Sequence, residues 1–521
     1  MAHPINNING PVSPNASFLE APSSSASDSS RLSIPQIEDS PSSSVFDLPV
    51  NPIVTPALGS RRPSLPVSSP TSATTAGTEV QHREVSPVPS VLVISGGTGC
   101  NSICSAFRDA CYVLPVSDDG GSSSEIIRVL GGPSIGDIRS RLVRLIPTSP
   151  EGSPLDRIRH LLEYRLRAES TEREVRDEWR DIVEGRSLLW TGIPLDRKEV
   201  IRGFLVYFES EVLRRAQKNF SFRNGSVGNY FLAAARIFFR SLPSAIFLFS
   251  SITSSQANIV PVLVTNHTVT IGAELENGRN IIGQCNISHP AHSESSFSFV
   301  FASPITEDLA EPEFSPRSTH ERSHTPNLVF SKEDEDHEVP LESRINRLYY
   351  INAYGHEIHP SPNPDFLAQC DSKDIIIYSC GSLWTSIIPC LALKGVASAI
   401  ARSRNAKAKI LLLNSKNDRE TNGYTAADYI RAITRTLNTH YASLGTYTSY
   451  PVSAFVTHLV YLRGGQVPLD TEQITSMGVR CIEVESKHGT ADRSGVPMFD
   501  AESVRTALRR IISEWGVESV I

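Results

Sequence analysis

The 521-residue chain has no glycine-lysine-serine or glycine-lysine-threonine triplet, which excludes a P-loop. Its eight cysteines form no metal-like pairs: Cys100, Cys104 and Cys111 share one stretch, and Cys370, Cys380 and Cys390 are too widely spaced for a zinc knuckle. They read as small buried apolar residues of a reducing compartment. Cys380 is the exception, lying in a loop expected to touch ligand, but no histidine nearby in sequence would activate it. The formal charge of −7 gives no support for a nucleic-acid partner. No apolar run reaches membrane-spanning length; the greasiest, 245–264, is broken by serines, Gln256 and Asn258. No basic segment followed by an apolar core opens the chain, so a cytoplasmic protein without a signal peptide is expected.

Against these absences stands the stretch of residues 90–139, SVLVISGGTGCNSICSAFRDACYVLPVSDDGGSSSEIIRVLGGPSIGDIR. Val91–Ile94 is a short aliphatic run, long enough for a buried strand and too short for a helix. Gly96, Gly97, Thr98 and Gly99 follow, and glycine there lets a phosphate approach the main chain. Asn101 or Ser102 would cap a helix running to Arg108, its positive end facing the turn. Ser102 stands where a dinucleotide fingerprint needs its third glycine. Alone, such a turn is as readily a tight packing device as a ligand loop.

A second strand, 111–116, leads into Asp118-Asp119-Gly120-Gly121-Ser122-Ser123-Ser124. Adjacent carboxylates repel, and a hard cation such as Mg²⁺, shared with ligand phosphates, is one reason to hold them together. An Asx turn followed by a serine cap is the plainer reading. A third glycine turn brings Gly136, Asp137 and Arg139. Backbone amides and carboxylates gathered at the carboxyl ends of parallel strands make a nucleotide-type site.

Three segments look appended. Residues 1–87 are dense in Ser, Pro and Ala, the composition of a disordered tail. Residues 150–218 read as a charged helical insertion with an amphipathic stripe (Leu155, Ile158, Leu161, Leu162) and tryptophans 179 and 190 to dock it. Residues 288–342 mix Ser, Pro, an acidic run at 333–336 and histidines without ligand spacing; they read as a mobile surface insertion. The C-terminal half alternates expected strands (374–379, 409–413, 455–462) with helices (425–437, 501–512). This pattern predicts a mostly parallel sheet covered on both faces, shared by both halves of one large domain.

The motifs resemble those of the 2-phospho-L-lactate transferase and gluconeogenesis factor (CofD/YvcK-like) superfamily. GGTG, SDDGGSSS and GDIRS match, as do Ser226-Val227-Gly228-Asn229, the middle β segment 259–288, the loop and helix 379–400, and 419–428. The resemblance spans about 88–515, leaving 516–521 as the end, and the last two motifs lean toward the gluconeogenesis factor branch. Departures are Ser379-Cys380 where glycine-proline is usual, and Asn417-Asp418-Arg419 where glutamine-proline-glycine is usual.

The resemblance implies a Rossmann-like three-layer α/β/α fold. It implies Asp119, helped by Asp118, as metal-holding and catalytic, and phosphate contacts from Gly96–Gly99, Gly120, Gly121 and Ser122–Ser124. Gly136, Asp137 and Arg139 join them, and Ser226, Gly228 and Asn229 would meet sugar or base. Gly381, Ser382, Thr385 and Ser386 would form a helix N-terminal anion site, and Thr421, Gly423 and Tyr424 the other wall. Two activities follow: a nucleotide-sugar-binding regulator of carbon metabolism, with a ligand such as UDP-N-acetylglucosamine, or a Mg²⁺-dependent transferase. The transferase would move a phospholactyl group from a guanosine diphospholactate to a deazaflavin-like alcohol, releasing GMP. The family also suggests a homodimer, with neither nucleic acid nor membrane as partner.

Overall fold

A computed structural model describes residues 88–97, 99–107, 109–215, 218–289, 339–440, 448–487 and 490–516. The expected tail 1–87, Thr98, Arg108 and most of the acidic insertion lie outside the described residues.

Among the described residues the strands form two sheets. They are β1 (Val91–Ile94), β2 (Cys111–Leu114), β3 (Asn258–Pro261), β4 (Val269–Leu275), β5 (Asn280–Ile282), β6 (Ile345–Asn352), β7 (Glu357–Ile358), β8 (Ile375–Tyr378), β9 (Ala408–Leu412), β10 (His458–Leu462) and β11 (Arg480–Val484). The large sheet has the order β11-β10-β9-β8-β1-β2-β3, and each neighbouring pair is parallel. Every residue of β1, β2, β8 and β9 is buried, as a strand covered on both faces requires. Ser90 starts the central pair in register, its N–H and hydroxyl both donating to Asp374 Oδ2 at 2.9 and 2.8 Å. The middle β segment builds a separate antiparallel sheet, β5-β4-β6-β7.

The helices are α1 (Gly121–Leu130), α2 (Gly136–Arg144), α3 (Pro154–Glu163), α4 (Glu172–Val183), α5 (Leu195–Leu213), α6 (Val227–Phe239), α7 (Leu242–Ile252), α8 (Gln284–Ser288), α9 (Pro364–Ser372), α10 (Ile388–Leu391), α11 (Val396–Ala401), α12 (Ala426–Leu437), α13 (Thr471–Ser476) and α14 (Ala501–Ser513). They flank the parallel sheet, giving the expected α/β fold. The helical insertion is α3 to α5, with Ile158, Leu161 and Leu162 of the α3 stripe buried and Leu155 partly so. Trp179 docks it, stacked on Phe222 at 5.1 Å and edge-on to Tyr230 at 5.2 Å. Removing such a ring from a core typically costs about 3–5 kcal/mol. Trp190 is buried too, its indole N–H donating to Ile182 O within the insertion at 2.8 Å.

Several expected boundaries move. β2 ends at Leu114 rather than 116, and β10 begins only at His458, after a short helical turn at Val452–Ala454. The helix expected after the first glycine turn is reduced to one 3₁₀ turn, Cys104–Ala106. The reason is local: Asn101 does not cap it but donates from Nδ2 to Ser140 Oγ at 3.0 Å, and the residue before the turn, Ile103, has no capping side chain.

Candidate functional site

From the centre of the sheet the chain runs β1-β2-β3 to one side and β8-β9-β10-β11 to the other, so the order reverses between β1 and β8. Ligands of open α/β sheets bind at the carboxyl ends of the strands flanking such a reversal. The two loops that leave β1 and β8 meet there. A Cβ on Gly99 would lie 2.7 Å from Cys380 O and 2.9 Å from Gly381 Cα. One on Gly96 would overlap Ser386 Oγ, and one on Gly97 would overlap Asp137. Only glycine fits, and the fit brings the GGTG, GDIRS and 379–386 motifs together. Asn414 braces the second loop, accepting from Gly381 N at 3.1 Å and donating to Gly381 O at 2.8 Å.

The two adjacent aspartates do different things. Asp118 Oδ1 accepts the Gly120 N–H at 3.0 Å, the Asx turn foreseen as the plainer reading. Its Oδ2 has no hydrogen-bond partner among the described residues; a Cβ on Gly136 would overlap both it and Ser123 Oγ. Burial and the neighbouring Asp137 charge hold the Asp118 carboxyl well above the usual carboxylate range. Asp137 is pushed up to about 6 by burial, against the opposing pull of Arg141, the Gly97 N–H and Arg139. Asp119 instead accepts from Gln284 N at 3.1 Å and Cys285 N at 2.8 Å, so both its oxygens hold the start of α8. Burial raises its carboxyl as well.

Helix α1 begins directly after this pair with Gly120 in the cap position and no side-chain cap; Gly121 sits at φ +51°. Its amides therefore face the turn without the internal acceptor that Thr171, Ser226 or Thr425 provides for other helices. Among the three serines, Ser124 Oγ donates back to Gly121 O at 2.7 Å, Ser122 Oγ accepts from Asn229 Nδ2 at 2.7 Å, and Ser123 Oγ makes no hydrogen bond among the described residues. Ser226 caps α6 by accepting from Asn229 N at 3.4 Å. Asn229 Oδ1 accepts from Arg139 Nε at 2.9 Å, so the Asn229 amide joins Arg139 to Ser122. Gly228 leaves room for Leu162 O and the Arg139 stem. Burial and the nearby Arg165 charge lower the Arg139 guanidinium to about 10.

The opposite wall is saturated from within. Residues 383–387 form a π-helical turn that runs into α10. Its Trp384 and Thr385 N–H groups donate to Glu420 Oε2 at 2.9 and 3.1 Å. The Thr385 and Ser288 hydroxyls donate to Oε1 at 2.5 and 2.7 Å. Of the anion site expected at Gly381, Ser382, Thr385 and Ser386, the Thr385 amide and hydroxyl are taken by the chain's own carboxylate. Burial and Asp418 push Glu420 up to about 8, against the hydrogen bonds that favour its ionised form. Thr421 donates to Asp418 Oδ1 at 2.7 Å. The Tyr424 hydroxyl accepts from Trp384 Nε1 at 3.2 Å. Gly423, at φ +70°, turns its carbonyl to Arg344 Nη2 at 2.6 Å. Ser386 Oγ, beside Gly96, makes no hydrogen bond among the described residues.

Sequence reasoning did not single out Glu420 or Arg141. Arg141 is fully buried; Nη2 donates to Ser95 Oγ at 3.2 Å and Gly96 O at 2.9 Å, and Nη1 donates to Cys104 Sγ. It lies 4.9 Å over the Tyr112 ring. Its signal was present: Ile138, Arg141 and Leu142 share one face of α2 at helical spacing. Below it, a hydrogen bond from Cys104 and the Arg141 charge bring the Cys100 thiol down to about 6. Burial pushes Cys380 up to about 12, which disfavours a thiolate nucleophile there.

Among the described residues no three of His, Cys, Asp and Glu converge as a ready-made metal cage, and no helix is long and apolar enough to cross a membrane. The donor set fits a hard cation held by one or two carboxylates with ligand phosphates and water supplying the rest.

Comparison with known proteins agrees with this geometry. The family described as 2-phospho-L-lactate transferase CofD matches residues 91–486. An uncharacterized protein of Saccharomyces cerevisiae is 34% identical over 76% of this chain and 95% of its own length. A Clostridium acetobutylicum protein provisionally named a gluconeogenesis factor is 22% identical over 76% of this chain and 64% of its own. Among solved structures, a UPF0052 family member from Bacillus halodurans superposes with a TM-score of 0.50 at 18% identity, covering 80% of this chain and 99% of that one.

Proposed function

This chain belongs to the 2-phospho-L-lactate transferase CofD family, and on that premise we propose that its crevice binds a nucleotide-type diphosphate, held with Mg²⁺. The observation that carries the reading is the start of α1, without a side-chain cap, at the β1/β8 reversal, next to Asp118 Oδ2 and the terminal amino groups of Arg139, which have no hydrogen-bond partner among the described residues. Helix N-terminal amides and a guanidinium favour phosphate. Asp118, with Asp137 beside it, would hold the cation, which neutralises phosphate charge when bound. Asp119 would contribute mainly by fixing α8 along the same crevice.

The ligand class favoured is a nucleotide sugar such as UDP-N-acetylglucosamine, sensed in a regulatory role in carbon metabolism. Support comes from the relative provisionally named a gluconeogenesis factor and from the 419–428 motif. A second reading is the phospholactyl transfer that the family's name describes, supported by the match across 91–486 and by the intact Asp118. Such transfer needs alignment and charge neutralisation rather than a covalent nucleophile. The α1 amides would fix the diphosphate, Arg139 would neutralise a non-bridging oxygen, and the acceptor alcohol would attack in line as GMP leaves.

Calorimetric titration with UDP-N-acetylglucosamine, GDP and GMP, with and without Mg²⁺, separates the two. Tight uridine-sugar binding without turnover supports the regulator. Mg²⁺-dependent guanosine binding that weakens in Asp118→Asn supports the transferase. Silence from every nucleotide removes the premise of both.

A further inference from the structure

The helical insertion does more than pack on the domain. Where α3 ends, the chain runs antiparallel to the start of α6: Leu166 N donates to Gly225 O at 2.9 Å, Val227 N donates to Tyr164 O at 3.1 Å, and Arg165 pairs with Ser226. Arg165 is thereby fixed beside the helix whose Asn229 holds Arg139 Nε, and the Arg139 stem packs against Gly228 on the same turn. Two guanidiniums, one from α2 and one from the insertion, are thus anchored to the same turn of α6, close enough for Arg165 and Asp118 both to act on Arg139.

Neither is in direct contact with a carboxylate, although Asp118, Asp137 and Glu163 attract Arg139 and Asp118 attracts Arg165. Among the described residues neither Arg139 nor Arg165 forms an ion pair within 4.0 Å, unlike the exposed Arg186, Arg347 and Arg463. Arg139 uses only Nε, leaving both terminal amino groups without a partner. The exposed Arg165 donates only Nη1 to Asn224 O at 3.2 Å. The two guanidiniums repel each other, Asp118, Asp137 and Glu163 offset this only from beyond ion-pair distance, and an oxyanion gripped by both forks would supply the close partner each lacks. Arginine's planar fork grips oxyanions through two parallel bonds.

We propose that Arg139 and Arg165 form a two-arginine clamp for an oxyanion group, phosphate or carboxylate, of the crevice ligand, with Arg165 as the insertion's own contribution to the site. The clamp rests on the diphosphate-ligand reading above and deepens it: the insertion becomes part of the binding site rather than an appendage.

The test uses the full chain as wild type, Arg165→Ala and Arg165→Lys, titrated calorimetrically with inorganic pyrophosphate, malonate, UDP-N-acetylglucosamine and GDP. The probe whose affinity drops about tenfold or more in Arg165→Ala identifies the oxyanion as phosphate or carboxylate. Arg165→Lys should recover only part of the loss, because a point charge lacks the fork. Thermal stability should stay within about 1 °C of wild type, since an exposed side chain is removed. Equal affinity of wild type and Arg165→Ala for every probe, or no binding of any probe to wild type, overturns the clamp. Pyrophosphate binding that depends on Arg165 without any nucleotide binding keeps the clamp and removes the nucleotide reading. Nucleotide binding indifferent to Arg165 does the reverse.

Discussion

The two walls of the crevice are equally rich in hydroxyls and carboxylates, yet they differ in what those groups touch. In the 382–424 wall the Glu420 carboxylate accepts four donors, Thr421 bonds Asp418, and the Tyr424 hydroxyl meets Trp384. In the 118–139 wall Asp118 Oδ2, Ser123 Oγ and the Arg139 terminal amino groups have no partner among the described residues, and α1 starts without a side-chain cap. A saturated polar cluster holds a shape, and an unsatisfied one at a strand-order reversal waits for a ligand. Polar composition alone does not tell these apart.

The comparison breaks most visibly at Glu420. Glu420→Ala leaves two buried backbone N–H groups and two hydroxyls without an acceptor, and should lower the unfolding free energy by about 3 kcal/mol, read by denaturant titration. Gly99→Ala, where the two loops touch, should cost about 2 kcal/mol, because the atoms in its way are Cys380 and Gly381 backbone. Circular dichroism melts of the two variants would rank them.

A smaller signature is pH. Glu420 is raised from its ordinary 4.5 to about 8, so the folded state binds its proton more tightly than the unfolded state. The stability contributed is full below about 4.5 and is lost as pH climbs toward 8. Glu420→Gln should flatten this slope, leaving a residual decline up to about 6 from Asp137, whose carboxyl is raised in the same sense. An unchanged slope in Glu420→Gln would show that Glu420 is ionised throughout. The smallest expected effect is Asp119→Asn: one of the two amides it caps can still find the side-chain oxygen, so a loss of about 1 kcal/mol or less is expected in the same unfolding assay.

Much of the fold was legible because its signals are local. The runs VLVI and IIIY are apolar at consecutive positions, which only a strand buried on both faces tolerates, and Thr425 with Asp428 marks the start of α12 as a capping box. The site was legible where motifs adjoin in sequence and opaque where partners come from afar. Asp118 and Asp119 look equivalent on paper; α8, some 165 residues on, claims one of them. The turn at 383–387 reads as an anion site until Glu420 arrives to occupy it. Asn101 looked like a helix cap, but Ser140 of a neighbouring helix takes its amide. In each case a short-range propensity lost to a tertiary hydrogen bond that no local pattern announces.

The most direct test measures two quantities on the same two variants, Asp118→Asn and Glu420→Gln: unfolding free energy, and affinity for UDP-N-acetylglucosamine and GDP with Mg²⁺. The distinction between the walls predicts that Asp118→Asn stays within about 1 kcal/mol of wild-type stability while losing at least about tenfold in affinity. Glu420→Gln should lose stability and, once folded, bind as wild type does. Stability and affinity falling together in both variants, or a Glu420→Gln protein that is stable but no longer binds, would contradict the account.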